Sequence, residues 1–402
     1  MTADQPVILA AKRTPIGRFL GGFSRTSATA LGSHVLKAAL SEAGGAASHI
    51  DEAIFGCVLQ ASVGQNPARQ VGLGAGLPET LSAQTVNKVC GSGLQAVMLA
   101  AQSIKAGDNQ LVAAGGIENM TMAPYFAHVR NGATGPKFGP TSFEDHMQYD
   151  GLRCAFEGWA MGSAADHIAE KHGISREEQD RFAAQSHQRA AHATAEGWFA
   201  GEIVPLTGEQ VGNRKVPGPE GGVSQDEGIR GDSTAEGLAK LRPAFAKDGS
   251  VTAGNASQIS DGAAAIIVSS QAKADELGTK PLARIVSYAT SGVAPKDIFE
   301  APITGVQAAL DKAGLGVSDI DLFEINEAFA AQVLCNIKPL GIDEAKLNVC
   351  GGGIALGHPI GASGARVLTT LLHQMHRLDA KRGVAALCLG GGNSVAMVLE
   401  RD

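Results

Sequence analysis

Apolar and polar positions fall along this chain in blocks of two kinds. Short apolar runs, PVILAA from Pro6, EAIFGCVL from Glu52 and QLVAAGG from Gln110, read as buried strands. Between them lie longer stretches of amphipathic or small-residue character, one over residues 28–44 and another opening at Cys90, which read as helices. Strand and helix in alternation predict an α/β domain.

The texture changes over residues 124–250, where Gly, Pro, His and charged residues dominate, with two clear helices and little strand signal. This stretch reads as an ordered insertion. One of its helices opens at Ser175, because SREEQ supplies a Ser-x-x-Glu capping box with Glu178, and runs to a stop at Gly197. Apolar runs then return in GAAAIIVSS and PLARIVSYA, and a second α/β sequence closes on GVAALCLGGGNSVAMVLE. LVAAGGIENM at 111–120 echoes ALCLGGGNSVAM at 386–397: an apolar strand, a glycine cluster read as a tight turn, then a second short run. Two copies of one α/β unit are expected, with ligand at the seam between them. The expected division is 1–123 with 251–275, an inserted 124–250, and 276–402.

Composition narrows the function. The 402 residues carry a net charge of −7, scattered lysines and arginines and only 4% aromatics, which lacks both the basic footprint and the stacking groups of a nucleic-acid partner. No run reaches the ~18 apolar residues of a membrane span, and the N-terminus does not read as a targeting segment. Six cysteines without a Cys-x-x-Cys pair favour free thiols over disulfides or zinc, and hence a reducing cytoplasm.

Four segments carry candidate chemistry. In VNKVCGSGLQAV, Cys90 precedes a glycine-rich helix start, where free backbone N–H groups and the helix dipole are expected to lower a thiol from its usual pKa of ~8.5. The plain alternative is a small buried hydrophobe, and a rival reads Gly91-x-Gly93 as a dinucleotide fingerprint with Glu118 as its acid. His358, framed by glycines in GGGIALGHPIGASGAR, lacks the bulky neighbours of a packed histidine and reads as a base. Cys388 sits before Gly390, Gly391 and Gly392, whose N–H groups suit an oxyanion, although a buried thiol explains it equally. Asn326, in EINEAFAAQ, reads either as a helix cap or as a catalytic group.

Taken in order with AAKRTPIGRFLGGF, QNPARQ, AGGIENMTMAPY, VTAGNAS and SDGAAA, these motifs make the chain resemble the thiolases, the acetyl-CoA acetyltransferase and 3-ketoacyl-CoA thiolase family, over nearly its whole length. The resemblance implies a duplicated thiolase fold of five α-β-α-β-α layers, with an inserted loop domain covering the site and a homotetrameric assembly. It implies Cys90 as nucleophile, His358 as its activating base and Cys388 as the second acid/base. Asn326 would hold a water that with His358 forms one oxyanion hole, and the backbone N–H groups of Cys90 and Gly390 would form the other. Met161, Ser257, Ala328 and Phe329 match positions lining the acyl and pantetheine tunnel, and Arg230 one near the nucleotide end of coenzyme A.

The implied substrates are acetyl-CoA, acetoacetyl-CoA or another 3-ketoacyl-CoA, and CoA, with no metal or redox cofactor. Three departures stand out: Ala160 where a histidine is frequent, Gln258 where a glycine is common, and Ser394 in place of the last glycine of the closing motif. The first two bear on chain length, so a longer-chain thiolase of fatty-acid β-oxidation stays open. So does a non-catalytic acyl-CoA binder, and a ketoacyl synthase shares the fold but usually pairs its cysteine with two histidines or with a histidine and an asparagine, so the second cysteine here favours a thiolase.

Overall fold

The computed structural model describes residues 5–44, 46–129, 138–212 and 218–401. Its first half runs β1 (Pro6–Arg13), α1 (Ala28–Glu42), β2 (Glu52–Gly56), α2 (Pro67–Gly74), β3 (Ser82–Val86), α3 (Ser92–Ala106) and β4 (Leu111–Asn119). Within 124–250 the longest elements are α4 (Met161–His172) and α5 (Arg176–Ala195), and the first half is then completed by β5 (Ser260–Ser270). The second half follows as β6 (Ala283–Gly292), α6 (Ala301–Ala313), β7 (Leu322–Ile325), α7 (Ala330–Leu340), α8 (Gly353–Leu356), α9 (Ser363–Arg377), β8 (Arg382–Leu389) and β9 (Asn393–Glu400).

The duplication is visible in the strand pairing. In the first half β5 lies antiparallel between β1 and β4, β4 runs parallel to β2, and β2 parallel to β3. In the second, β9 lies antiparallel between β6 and β8, and β8 runs parallel to β7. A lone parallel bridge from Phe323 to Leu347 stands where the first half has β3. The two sheets join edge to edge through Val7–Arg284 and Ile8–Ala283.

Five layers result. Helices α1 and α2 cover the outer face of the first sheet, α6 and α7 that of the second, and α3 packs on α9 between the sheets. Burial on both faces explains why β1 is apolar from Pro6 to Ala11: Val7 and Leu9 face α1, with Leu31 and Val35, whereas Ile8 faces the central layer, with Val97, Leu368 and Leu371.

One sequence expectation is corrected. Gly115 and Gly116 do not make a turn but lie inside β4. A Cβ on Gly116 would stand 2.2 Å from the Gly361 carbonyl oxygen, so the glycine permits a close approach of the second half. The helix at Ser175 forms with its full capping box, Glu178 accepting from Ser175 N at 2.7 Å, and Gly197 beyond its end takes a left-handed φ of 70°. No helix among the described residues is long and apolar enough to cross a membrane.

Candidate active site

Cys90 ends the loop between β3 and α3, one residue before the helix cap Gly91. Val89, just before it, has a φ of +47°, an unfavourable backbone state for a β-branched residue. Ser92 holds it there: its hydroxyl donates to the Val89 carbonyl at 2.6 Å and accepts from Lys88 N at 2.8 Å. A Cβ on Gly91 would come within 2.2 Å of Leu389, so only glycine lets the end of β8 approach this closely. That approach brings the Gly390 N–H, together with that of Cys90 itself, onto the Cys90 sulfur.

All six cysteines are free, and Cys90 is the one that is not fully buried. The expected fall in its pKa does not appear. Burial outweighs the two N–H groups and pushes the thiol up to about 12, so Cys90 rests protonated. Cys388, at the end of β8, is also held well above its usual range, first by burial and then by the neighbouring Cys90.

His358 lies in the turn between α8 and α9 and is only 6% exposed, so it is packed rather than set in an open loop. Its Nδ1 stands 2.6 Å from Ser363 Oγ, and that hydroxyl donates to the Pro359 carbonyl at 2.8 Å. The hydroxyl's only proton is thus used, so Nδ1 carries the ring hydrogen and Nε2 keeps its lone pair, 3.3 Å from Asn326 Nδ2. Burial and the Arg366 charge push the imidazole down to about 3, leaving it neutral.

Asn326 is not a helix cap, since α7 begins only at Ala330 with Phe329 as its cap residue. It continues β7, its N–H bonded to the Ala386 carbonyl at 2.9 Å, and its Oδ1 is buried with no hydrogen-bond partner among the described residues. Its Nδ2 lies against the His358 ring, 3.3 Å from Nε2.

The cleft itself measures about 520 Å³, and its wall brings together Cys90, His358, Cys388, Gly390, Met161, Arg230, Ser257, Ala328 and Phe329. Ser257 is tied to Ala328 by a 2.9 Å backbone bond, and Ala256 bridges Phe329. Ala160 and Gln258 also line it, as do Arg18, Leu152, Phe245 and Ile360, which sequence reasoning did not single out. Leu152 and Phe245 come from the insertion, where no periodic pattern marks them.

The dinucleotide reading fails on Glu118 and Gly93. Glu118 is buried and accepts from Val58 N, Leu59 N and Gly361 N at 3.1, 3.2 and 2.9 Å, clamping the His358 turn to the first half. Burial raises it to about 7 against those bonds. A Cβ on Gly93 would meet Ala365 N at 2.7 Å, so that glycine serves helix packing. Ser394 has a local reason too: its hydroxyl bonds Ser291 Oγ at 2.7 Å, beside Gly305, where any Cβ would collide with it.

A neutral imidazole and two thiols meeting at the seam of a duplicated, five-layered α/β body define a thiolase-fold acyl-transfer enzyme. The thiolase N-terminal domain model matches residues 6–272 and the thiolase C-terminal domain model residues 279–401. Acetyl-CoA acetyltransferases of Pseudomonas aeruginosa and Escherichia coli are each 52% identical to this chain, over 98% of it and 99% and 98% of their own lengths. The crystal structure of the Bacillus anthracis acetyl-CoA acetyltransferase superposes with a TM-score of 0.94 at 41% identity, covering 98% of each chain. The chain belongs to the thiolase family.

Proposed function

We propose that the protein is an acetyl-CoA C-acetyltransferase, joining two acetyl-CoA into acetoacetyl-CoA and CoA, or cleaving a 3-ketoacyl-CoA in reverse, by ping-pong chemistry. The observation that carries this reading is that Cys90, His358 and Cys388 open on one cleft. His358 Nε2 takes the Cys90 proton as the sulfur attacks the thioester carbonyl, whose oxyanion is met by the Asn326–His358 site or by the Cys90 and Gly390 N–H groups. Cys388 gives its proton to the departing CoA thiolate, leaving acetyl-Cys90. The Cys388 thiolate then removes an α-proton from the second acetyl-CoA. The resulting carbon nucleophile attacks acetyl-Cys90, and His358 returns its proton to the released Cys90. Every step moves protons and one acyl group, so coenzyme A is substrate and product, and the scheme calls for no cofactor.

Met161, Ser257, Ala328 and Phe329 line the acyl and pantetheine path in this reading, with Arg230 toward the nucleotide. A longer-chain 3-ketoacyl-CoA substrate is the second reading, favoured by the small Ala160 on the cleft wall. Measuring kcat/KM for thiolysis across 3-ketoacyl-CoA chain lengths decides between them. A steep preference for four carbons supports the acetyltransferase, and absence of any CoA-dependent thiolysis would reduce the protein to an acyl-CoA binder.

The division 1–123 with 251–275, 124–250 and 276–402 is supported by β5 completing the first sheet. A homotetramer in the cytoplasm is the assembly and setting we infer. The open edge strand β3 and the exposed Phe138, Phe143 and Phe156 of the insertion support the assembly.

A further inference from the structure

Gln258 is the junction between the base and the charged end of the cleft. Its own carbonyl accepts from His358 N at 3.0 Å. Its side-chain amide nitrogen donates to the Ile354 and Ala355 carbonyls at 2.9 and 3.2 Å, and to the Gly228 carbonyl at 2.9 Å. Ile354 and Ala355 belong to α8, a single turn whose last carbonyls have no partner within the helix, so Gln258 caps the element that leads into His358.

Gly228 belongs to the run 226–230, each end of which is held elsewhere. Asp226 pairs with the buried Arg13, Glu227 accepts from Arg18 N at 3.0 Å, and Arg230 N donates to His187 Nδ1 at 3.2 Å. Arg18 and Arg230 are the only arginine or lysine side chains among the described residues lining the cleft. The run therefore carries or grips both cations that an anionic substrate end would meet, and Gln258 is its link to the His358 turn.

We propose that Gln258 is a positioning residue for the phosphate-bearing end of a coenzyme A thioester: it clamps the 226–230 run, and with it Arg18 and Arg230, at a fixed distance from His358. A donor fixed before binding lowers the ordering cost of the complex, so its effect falls on substrate affinity rather than on the chemical step. The proposal rests on the acyl-CoA reading above.

Gln258→Met tests it, since the side chain keeps its length and loses both donors. KM for acetyl-CoA should rise roughly three- to tenfold, the loss of one or two hydrogen bonds, with kcat within about twofold. Acylation by S-acetyl-N-acetylcysteamine, which has no phosphate, should be unchanged. Amide hydrogen exchange at 229–231 should quicken in the free variant. A kcat loss shared by both thioesters would mean that Gln258 only supports His358, and unchanged KM or unchanged exchange would also overturn the clamp. A wild-type protein inert toward acetyl-CoA removes the acyl-CoA reading itself, and the exchange measurement still decides whether the clamp exists.

Discussion

Arg366 Nη1 stands 3.7 Å from Glu324 Oε2, both side chains are buried, and among the described residues neither head group makes a hydrogen bond. Burial pushes Glu324 up to about 8 and Arg366 down from its usual value, and Glu202, Glu327 and Arg13 share the field. A pair so poorly compensated is costly to break and cheap to replace. Glu324→Leu alone should cost ~3–5 kcal/mol by stranding Arg366, and adding Arg366→Met should restore or exceed wild-type stability. Urea unfolding of both variants checks this. Glu324 binds its proton more tightly folded than unfolded, so its contribution fades as pH climbs from 4.5 toward about 8. The double variant's advantage should widen across that window.

Iodoacetamide should label Cys90 alone in the native protein, because the other five thiols are buried. With the thiol up at about 12, the rate should climb ~tenfold per pH unit between pH 7 and 9. A rate already level at pH 7 would mean that the thiolate is present in the free enzyme. Mass spectrometry after acetyl-CoA should place the acetyl group on Cys90.

His358→Ala should slow Cys90 acylation by ~10²–10⁴, the usual cost of losing a general base. Ser363→Ala is the finer test, since it removes only the acceptor for Nδ1–H. It should lower kcat several-fold with KM unmoved, and an unchanged kcat would show that the tautomer is set by other means. A histidine held down near 3 stays uncharged through neutral and mildly acidic pH, so the acid limb of acylation should lie below pH 6.5. For the same reason the folded state should lose stability as pH falls from 6.5 toward 3.

Cys388→Ala should separate the half-reactions. Cys90 and His358 remain and CoA can still depart as its thiolate, so acetyl-CoA should yield a stoichiometric burst of CoA, slowed by the loss of the Cys388 proton, with little acetoacetyl-CoA and no exchange of methyl protons into deuterated water. Near-normal condensation would make Cys388 a packed thiol.

Much of the architecture was legible because its signals are local. The capping box at Ser175 and the apolar runs of β1, β4 and β5 need only a few neighbours to be read, and the helix after Cys90 begins and ends where its glycines stand. What was misread depends on distant partners. Gly116 looks like a turn residue until the Gly361 carbonyl lies against it, and Asn326 looks like a cap until α7 starts four residues later. The acidity of Cys90 went the other way because local dipoles are visible in a motif, and burial against the cluster of Val58, Leu59, Met120, Met147 and Ile360 is not. Gln258 showed only as an irregularity, since the carbonyls it holds come from 30 and nearly 100 positions away.

The place of β5 sets how this chain must emerge from a ribosome. Pro6 pairs with Ser270 and Asn119 with Asp261, so the strand that joins β1 to β4 is made only after the whole of 124–250. Until then the nascent first half presents two apolar strand edges with nothing between them, and pairing over so long a separation is slow. A chain stopped short of Ser270 should therefore aggregate rather than fold, however complete its Cys90 segment.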